Sequence, residues 1–146
     1  MDKAEVVARY KQLLTELGEE GRNVVLNADA ALVVLGIRKT TPDLEVGVPS
    51  GVFKWLSSNH LVIEEEDSSE VIKYRLDIEV HELSEYAGVV CVEGVWLYSP
   101  SELLKQKRHL MHLPSRKDGE RKGDATAIGL LEELIKGQKL TARVLA

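Results

Sequence analysis

The sequence predicts an α+β (mixed α/β) architecture: a small twisted mixed sheet flanked by helices, with further helices toward the C-terminus. Three observations predict it. Apolar residues recur at helical spacing near both ends, at Val6, Val7, Tyr10, Leu13, Leu14 and Leu17 and again at Ile128, Leu131 and Ile135. Between them lie short stretches with the two-residue alternation of half-buried strands, as in DLEVGV at 43–48. Aromatic residues make up 5% of the 146 residues, so Val, Leu, Ile and Ala must fill the core.

Each element has a local reason. Asp2–Leu17 reads as an amphipathic helix stopped by Gly18 and Gly21. The apolar run Asn23–Leu26 reads as a buried strand, and Ala28–Gly36 as a helix punctuated by its glycine. DLEVGV is the next strand, and parallel-sheet rules let it neighbour the first strand across that helix. Ser50 is placed to cap a third helix that turns Val52, Trp55 and Leu56 inward. HLVIEEE and EVIKYRLDIEV form two strands around DSSE, and GVVCVEGVWLYS forms two more joined at Glu93-Gly94. Ser99, Pro100 and Glu102 occupy the N-cap, N1 and N3 positions of a capping box. A polar link, PSRKDGERKGD, leads to a last helix from about Ala125 to Lys136. The expectation is one domain over 1–146, with a core at about 22–98 and a helical part at about 99–137.

Composition excludes some functions. A net charge of −5 argues against a purely electrostatic DNA-binder. It leaves open the basic stretch Lys105, Lys107, Arg108, Arg116, Lys117, Arg121 and Lys122, either a solvated helix surface or a set of phosphate contacts. The single cysteine, Cys91, sits in a strand-like run and reads as a buried thiol of a reducing compartment. No apolar run approaches the roughly 18–20 residues of a membrane span, and the N-terminus is unlike a signal peptide. The expectation is a cytoplasmic protein with no membrane partner; the oligomeric state stays open. His109 and His112 share a helix face without a third ligand, and no P-loop, G-x-G-x-x-G or G-x-S-x-G is present.

Chemistry concentrates in carboxylates. Asp43 and Glu45 are two apart on a strand and project to one side. Alone they are a tolerable solvated pair, repelling by about a kcal/mol or less. In YRLDIEVHEL, however, Asp77, Glu79 and His81 form a second polar face. Were the two strands near each other, up to four carboxylates would share a surface suited to a hard cation such as Mg²⁺. One of them would be free to take a proton from an attacking hydroxyl. Arg38 and Lys39, just before the first strand, read equally as a solvated loop or as phosphate contacts.

The stretch VVLNADAALVVLGIRKTTPDLEV resembles the nucleotidyltransferase-fold proteins, most of all the minimal, toxin-type members linked to abortive infection and toxin–antitoxin systems. Their pattern is a strand, Gly-Gly or Gly-Ser, a short ALxLxGLR helix, a Thr/Ser turn and then Asp-x-Asp. Ala31-Leu32, Gly36-Ile37-Arg38, Thr41 and Asp43 match it, with Glu45 at the second acidic position. LDIEV resembles the strand of the third carboxylate, placing it at Asp77. LLKQKRHL, then Arg116-Lys117-Asp118 and Asp124, resemble the C-terminal Lys and Lys-Asp motifs, so the likeness covers roughly Val24 to Leu134.

The resemblance implies metal-dependent transfer of a nucleotidyl group from an NTP to a hydroxyl of RNA, protein or a small molecule. Asp43, Glu45 and Asp77 would hold Mg²⁺ (or Mn²⁺) and do the catalysis, while Asn27, Ala28, Asp29, Arg38, Thr41, Lys107 and Lys117 would face the substrate. Two departures matter. Asn27-Ala28-Asp29 replaces the glycines that let phosphate approach the backbone, and Glu45 replaces Asp. Asp29 either caps the helix or sets a negative charge where triphosphate oxygens would lie. The alternative is therefore a catalytically degenerate module that binds nucleotide, RNA or a partner protein; a third reading is a pure interaction domain.

Overall fold

Asp2 starts the first helix because its carboxylate accepts from the Glu5 amide at 2.9 Å, while the Glu5 side chain reaches back to the Asp2 amide. In the computed structural model, which describes residues 1–145 and side chains through 138, the chain divides between Tyr98 and Ser99 into two compact units. The first contains α1 (Lys3–Leu17), β1 (Val25–Asn27), α2 (Ala28–Val34), β2 (Leu44–Val48), α3 (Ser50–Ser57), β3 (Leu61–Glu64), β4 (Glu70–Arg75), β5 (Ile78–Glu82), β6 (Val89–Val92) and β7 (Val95–Tyr98). The second contains α4 (Pro100–Met111) and α5 (Asp118–Leu145).

The seven strands form one mixed sheet in the order β3-β4-β5-β2-β1-β7-β6. β1 and β2 are neighbours as expected, but antiparallel, because the short α2 with its turn returns the chain rather than crossing it over. β2 runs parallel to β5, and β1 parallel to β7. Leu44, Val46 and Val48 alternate along β2 with Glu45 and Gly47, and all three are fully buried. With Val24, Val25, Leu26, Ile72, Ile78 and Val80, and with Val6, Tyr10 and Leu13 of α1, they make the core. α1 and α2 pack on each other and on β2; α3 packs on β4 and β5.

Tyr10 fastens α1 to the sheet. Its hydroxyl lies 2.7 Å from the carbonyls of both Gly21 and Val24 and accepts the amide of Trp96. Burial pushes its pKa up to about 12, so it remains a donor at every physiological pH.

Several local expectations are corrected. EVIKYRLDIEV is two strands: β4 and β5 form a hairpin, with a register irregularity between Lys73 and Arg75 and with Leu76 fully exposed at its tip. Trp55 is exposed and Phe53 faces inward instead, on one face with Leu56 three residues on, and α3 begins at Ser50 with Pro49 at its N-cap. Cys91 is exposed on the edge strand β6. The last helix starts at Asp118, seven residues before Ala125. Arg116 bonds both Glu120 and Asp124, which fixes the first turns despite Gly119 and Gly123. Ser99 caps α4 as expected, accepting from the Glu102 amide. Among the described residues no helix is long and apolar enough to cross a membrane.

Candidate functional site

Strand register gathers the polar groups. Asn27 on β1 lies opposite Glu45 on β2, Glu45 beside Glu79 on β5, and Glu79 opposite Lys73 on β4. Paired residues share a sheet face, so these four form a polar row across four adjacent strands. Two residues along β5, His81 stands on the same face beside Gly47. A Cβ at Gly47 would sit 3.0 Å from the Tyr98 hydroxyl and 3.3 Å from Leu83 Cδ1, so a side chain here would have to push both neighbours aside. His81 leans toward the row, with Nε2 3.6 Å from Glu45 Oε2.

Among the described residues, Glu45, Glu79 and His81 are the one trio of possible metal donors whose atoms all lie within 4.8 Å of one another. Two carboxylates and an imidazole are donor types a divalent ion accepts, but His81 Nε2, which makes no hydrogen bond, stands in ion-pair range of Glu45. Lys73 pairs with Glu79, which holds its ammonium above its ordinary pKa. Burial pulls the His81 imidazole down, but Glu45 and Glu79 outweigh it and leave the pKa raised.

Asp43, just before β2, borders this cluster. Its pKa is raised from 3.8 to about 6, first by burial, then by Glu45, Glu79 and Asp29, with Lys73 opposing. A cavity of about 590 Å³ opens beside His81, lined also by Phe53, Lys54, Ser57, Ser69 and Glu70.

The predicted residues fare unequally. Asp43 and Glu45 come together. Asp77, expected as the third carboxylate, instead pairs with Arg9 of α1 at 2.7 Å. It lies in the hairpin turn, outside the strand proper, so the strand alternation does not apply to it and Glu79 stands beside Glu45. The signal for Glu79 was in the sequence, as the next residue of the same polar face.

Asn27 caps α2 by accepting from the Ala28 amide at 2.8 Å. Ala28 adopts φ +49°, the left-handed region that a glycine would occupy without a Cβ clash. Asp29 pairs with Arg38 at 2.7 Å, and Arg38 Nε also donates to the Thr40 carbonyl, so this guanidinium is engaged within its own turn. Thr41 is buried; its hydroxyl donates to the Asp43 carbonyl and its amide to the Met1 carbonyl, so it holds the turn before β2.

Lys107 and Lys117 belong to the second unit. Lys107 is buried, with Nζ 3.3 Å from Asp124, whose carboxylate also takes a fork of two bonds at 2.8 Å from Arg116. Burial would raise the Asp124 pKa, but Arg116 and Lys107 overcome it and hold it below the ordinary value. Lys107 therefore serves a buried ion cluster, while the Lys117 side chain is exposed.

No protein-family model matches the chain, and no curated protein matches it. Among solved structures, the chain is similar to the crystal structure of an antigenic nucleotidyltransferase-like protein from Paracoccidioides brasiliensis. The identity is 16% over 88% of this chain and 75% of the other, with a TM-score of 0.45.

Proposed function

We propose that the chain transfers a nucleotidyl group from an NTP to a hydroxyl of RNA, protein or a small molecule, in the manner of the minimal, toxin-type proteins its motifs resemble. The observation that carries this reading is the convergence of Glu45, Glu79 and His81 beside a carboxyl, Asp43, whose pKa is raised to about 6. Glu45, Glu79 and His81 would hold Mg²⁺ or Mn²⁺, which supplies charge neutralisation at the phosphates when bound.

Asp43 is the proton acceptor, as the carboxyl that borders the cluster without belonging to its three donors. The acceptor oxygen bonds to the α-phosphorus as the bond to the β-phosphate breaks; pyrophosphate leaves and the hydroxyl proton passes to Asp43. Lys54, Ser57 and Ser69 offer donors in the cavity beside His81, whose volume of about 590 Å³ lies in the range of small-ligand pockets.

The test is incubation with α-labelled NTPs, divalent ion and cell extract. Incorporation by the intact chain, lost in Asp43→Ala and in Glu79→Gln, is the expected result. Absence of incorporation by the intact chain refutes the transferase reading. A second reading, a module that binds nucleotide, RNA or protein without transfer, is favoured by Ala28, whose methyl group stands on a left-handed backbone where the resembled motif carries glycine. Nucleotide binding by calorimetry without incorporation supports it.

A further inference from the structure

We propose that β6 is the seam of a homodimer: a second copy of the chain lays its own β6 antiparallel along this edge and sets its Tyr86 and Glu85 against α1.

β6 ends the sheet, and among the described residues β7 is its one strand neighbour. The two-residue turn that joins them, Glu93-Gly94, has φ of +52° and +78°, the twist of a type I′ hairpin. Its flanking residues, Val92 and Val95, therefore bond to each other across the turn. Bonded and unbonded pairs alternate along an antiparallel ladder, so Val90 also aims its N–H and C=O inward, at Leu97. Val89 and Cys91 aim theirs outward, where the sheet offers no strand. An extended segment is what satisfies such a row.

The two sheet edges are guarded differently. β3 closes the other side and runs into Glu64, Glu65 and Glu66, charges that discourage a second strand. β6 carries neither charge nor proline, and Cys91 is exposed on it. A two-fold axis through Val90 brings Val89 of each copy opposite Cys91 of the other, so every outward backbone group on both strands finds a partner.

The same register favours a second copy over any other strand. It carries the partner's Tyr86 toward Gly94, beside the turn whose Glu93 borders a shallow groove on α1. That groove is formed by Ala4, Val7 and Ala8 and rimmed by Lys3, Lys11 and Glu93. Lys3 holds Glu93 at 2.7 Å, while Lys11 has no ion pair among the described residues. Tyr86 is 91% exposed in the turn just before β6, with exposed Glu85 beside it. An aromatic ring for the apolar groove and a carboxylate for the free ammonium thus arrive together, and the symmetry makes the contact twice.

Light scattering behind size exclusion on the full chain should give the mass of two chains. A short bismaleimide should then link Cys91 to the partner's Cys91, because the register makes them diagonal neighbours on one sheet face, roughly 7–8 Å apart. Glu85→Lys and Tyr86→Ser, both at exposed turn positions, should each weaken the dimer at least about tenfold with an unchanged circular dichroism spectrum. Adding Lys11→Glu to Glu85→Lys should restore it. A monomer at the highest attainable concentration, a dimer that Cys91 does not cross-link, a dimer indifferent to Glu85→Lys and Tyr86→Ser, or a charge swap that restores nothing overturns the inference.

Discussion

Replacing Asp43 with asparagine should make the protein more stable while abolishing the proposed transfer. The carboxyl is displaced from 3.8 to about 6 by burial and by three neighbouring carboxylates. Each pH unit of displacement corresponds to about 1.4 kcal/mol, so the ionised form would cost the fold about 3 kcal/mol if it were shielded from water. Asp43 is half-buried, and solvent screening reduces this to about 1–2 kcal/mol.

The sign follows from proton linkage. A carboxyl whose folded pKa is raised binds its proton more tightly in the native state than in the unfolded chain. Stability is therefore fullest below the unfolded value near 3.8 and falls as pH rises through about 6. Asparagine stays neutral throughout. The gain should be absent at about pH 3.5, open between about 4 and 6, and hold constant above about 7. For a chain of this size it amounts to a melting temperature about 3–6 °C higher at neutral pH. Differential scanning fluorimetry across that pH series is the assay. An unchanged or lowered melting temperature at neutral pH, or a gain independent of pH, would refute the electrostatic account of Asp43.

Three further outcomes are expected. Ala28→Gly removes the Cβ from a left-handed backbone and should raise stability by about 0.5–1 kcal/mol, after the entropy of glycine is subtracted, measured as a higher urea midpoint. Asp124→Asn takes the carboxylate from buried Lys107 and from Arg116 and should cost about 3–5 kcal/mol at neutral pH by chemical denaturation. Because the folded pKa of Asp124 is depressed, the wild-type advantage over this variant should be full above the ordinary carboxylate range and shrink on acidification through the folded value. Tyr10→Phe removes the hydroxyl that donates to the Gly21 and Val24 carbonyls in turn and accepts from the Trp96 amide, and should cost about 1–3 kcal/mol, read from thermal melts.

The strand alternation of DLEVGV and IEVHE was legible because a period of two survives any sheet order. It placed Glu45, Glu79 and His81 on polar faces before their strands were known to be adjacent. Two caps were equally legible, since Ser99 and the glycine after α1 act through neighbours in sequence, whereas Ser50 stands inside α3 and Pro49 takes its cap. What escaped was non-local. Nothing near Asp77 reveals that Arg9, 68 positions earlier, will draw it to α1. Nor does Gly119 or Gly123 hint that Arg116 will hold helical turns around both. The exposure of Cys91 depends on β6 ending up at the sheet edge, which is a fact of topology, not of local pattern.

The polar row also guards the fold against mispairing. Shifting β2 or β5 by one position would drive Glu45 or Glu79 into the dry layer now filled by Leu44, Val46, Ile78 and Val80, and expose those aliphatic groups in exchange. These charged side chains thus penalise a slipped register during assembly. A descendant that neutralised them would lose that safeguard together with any catalysis, and would be the more prone to fold with its strands out of step.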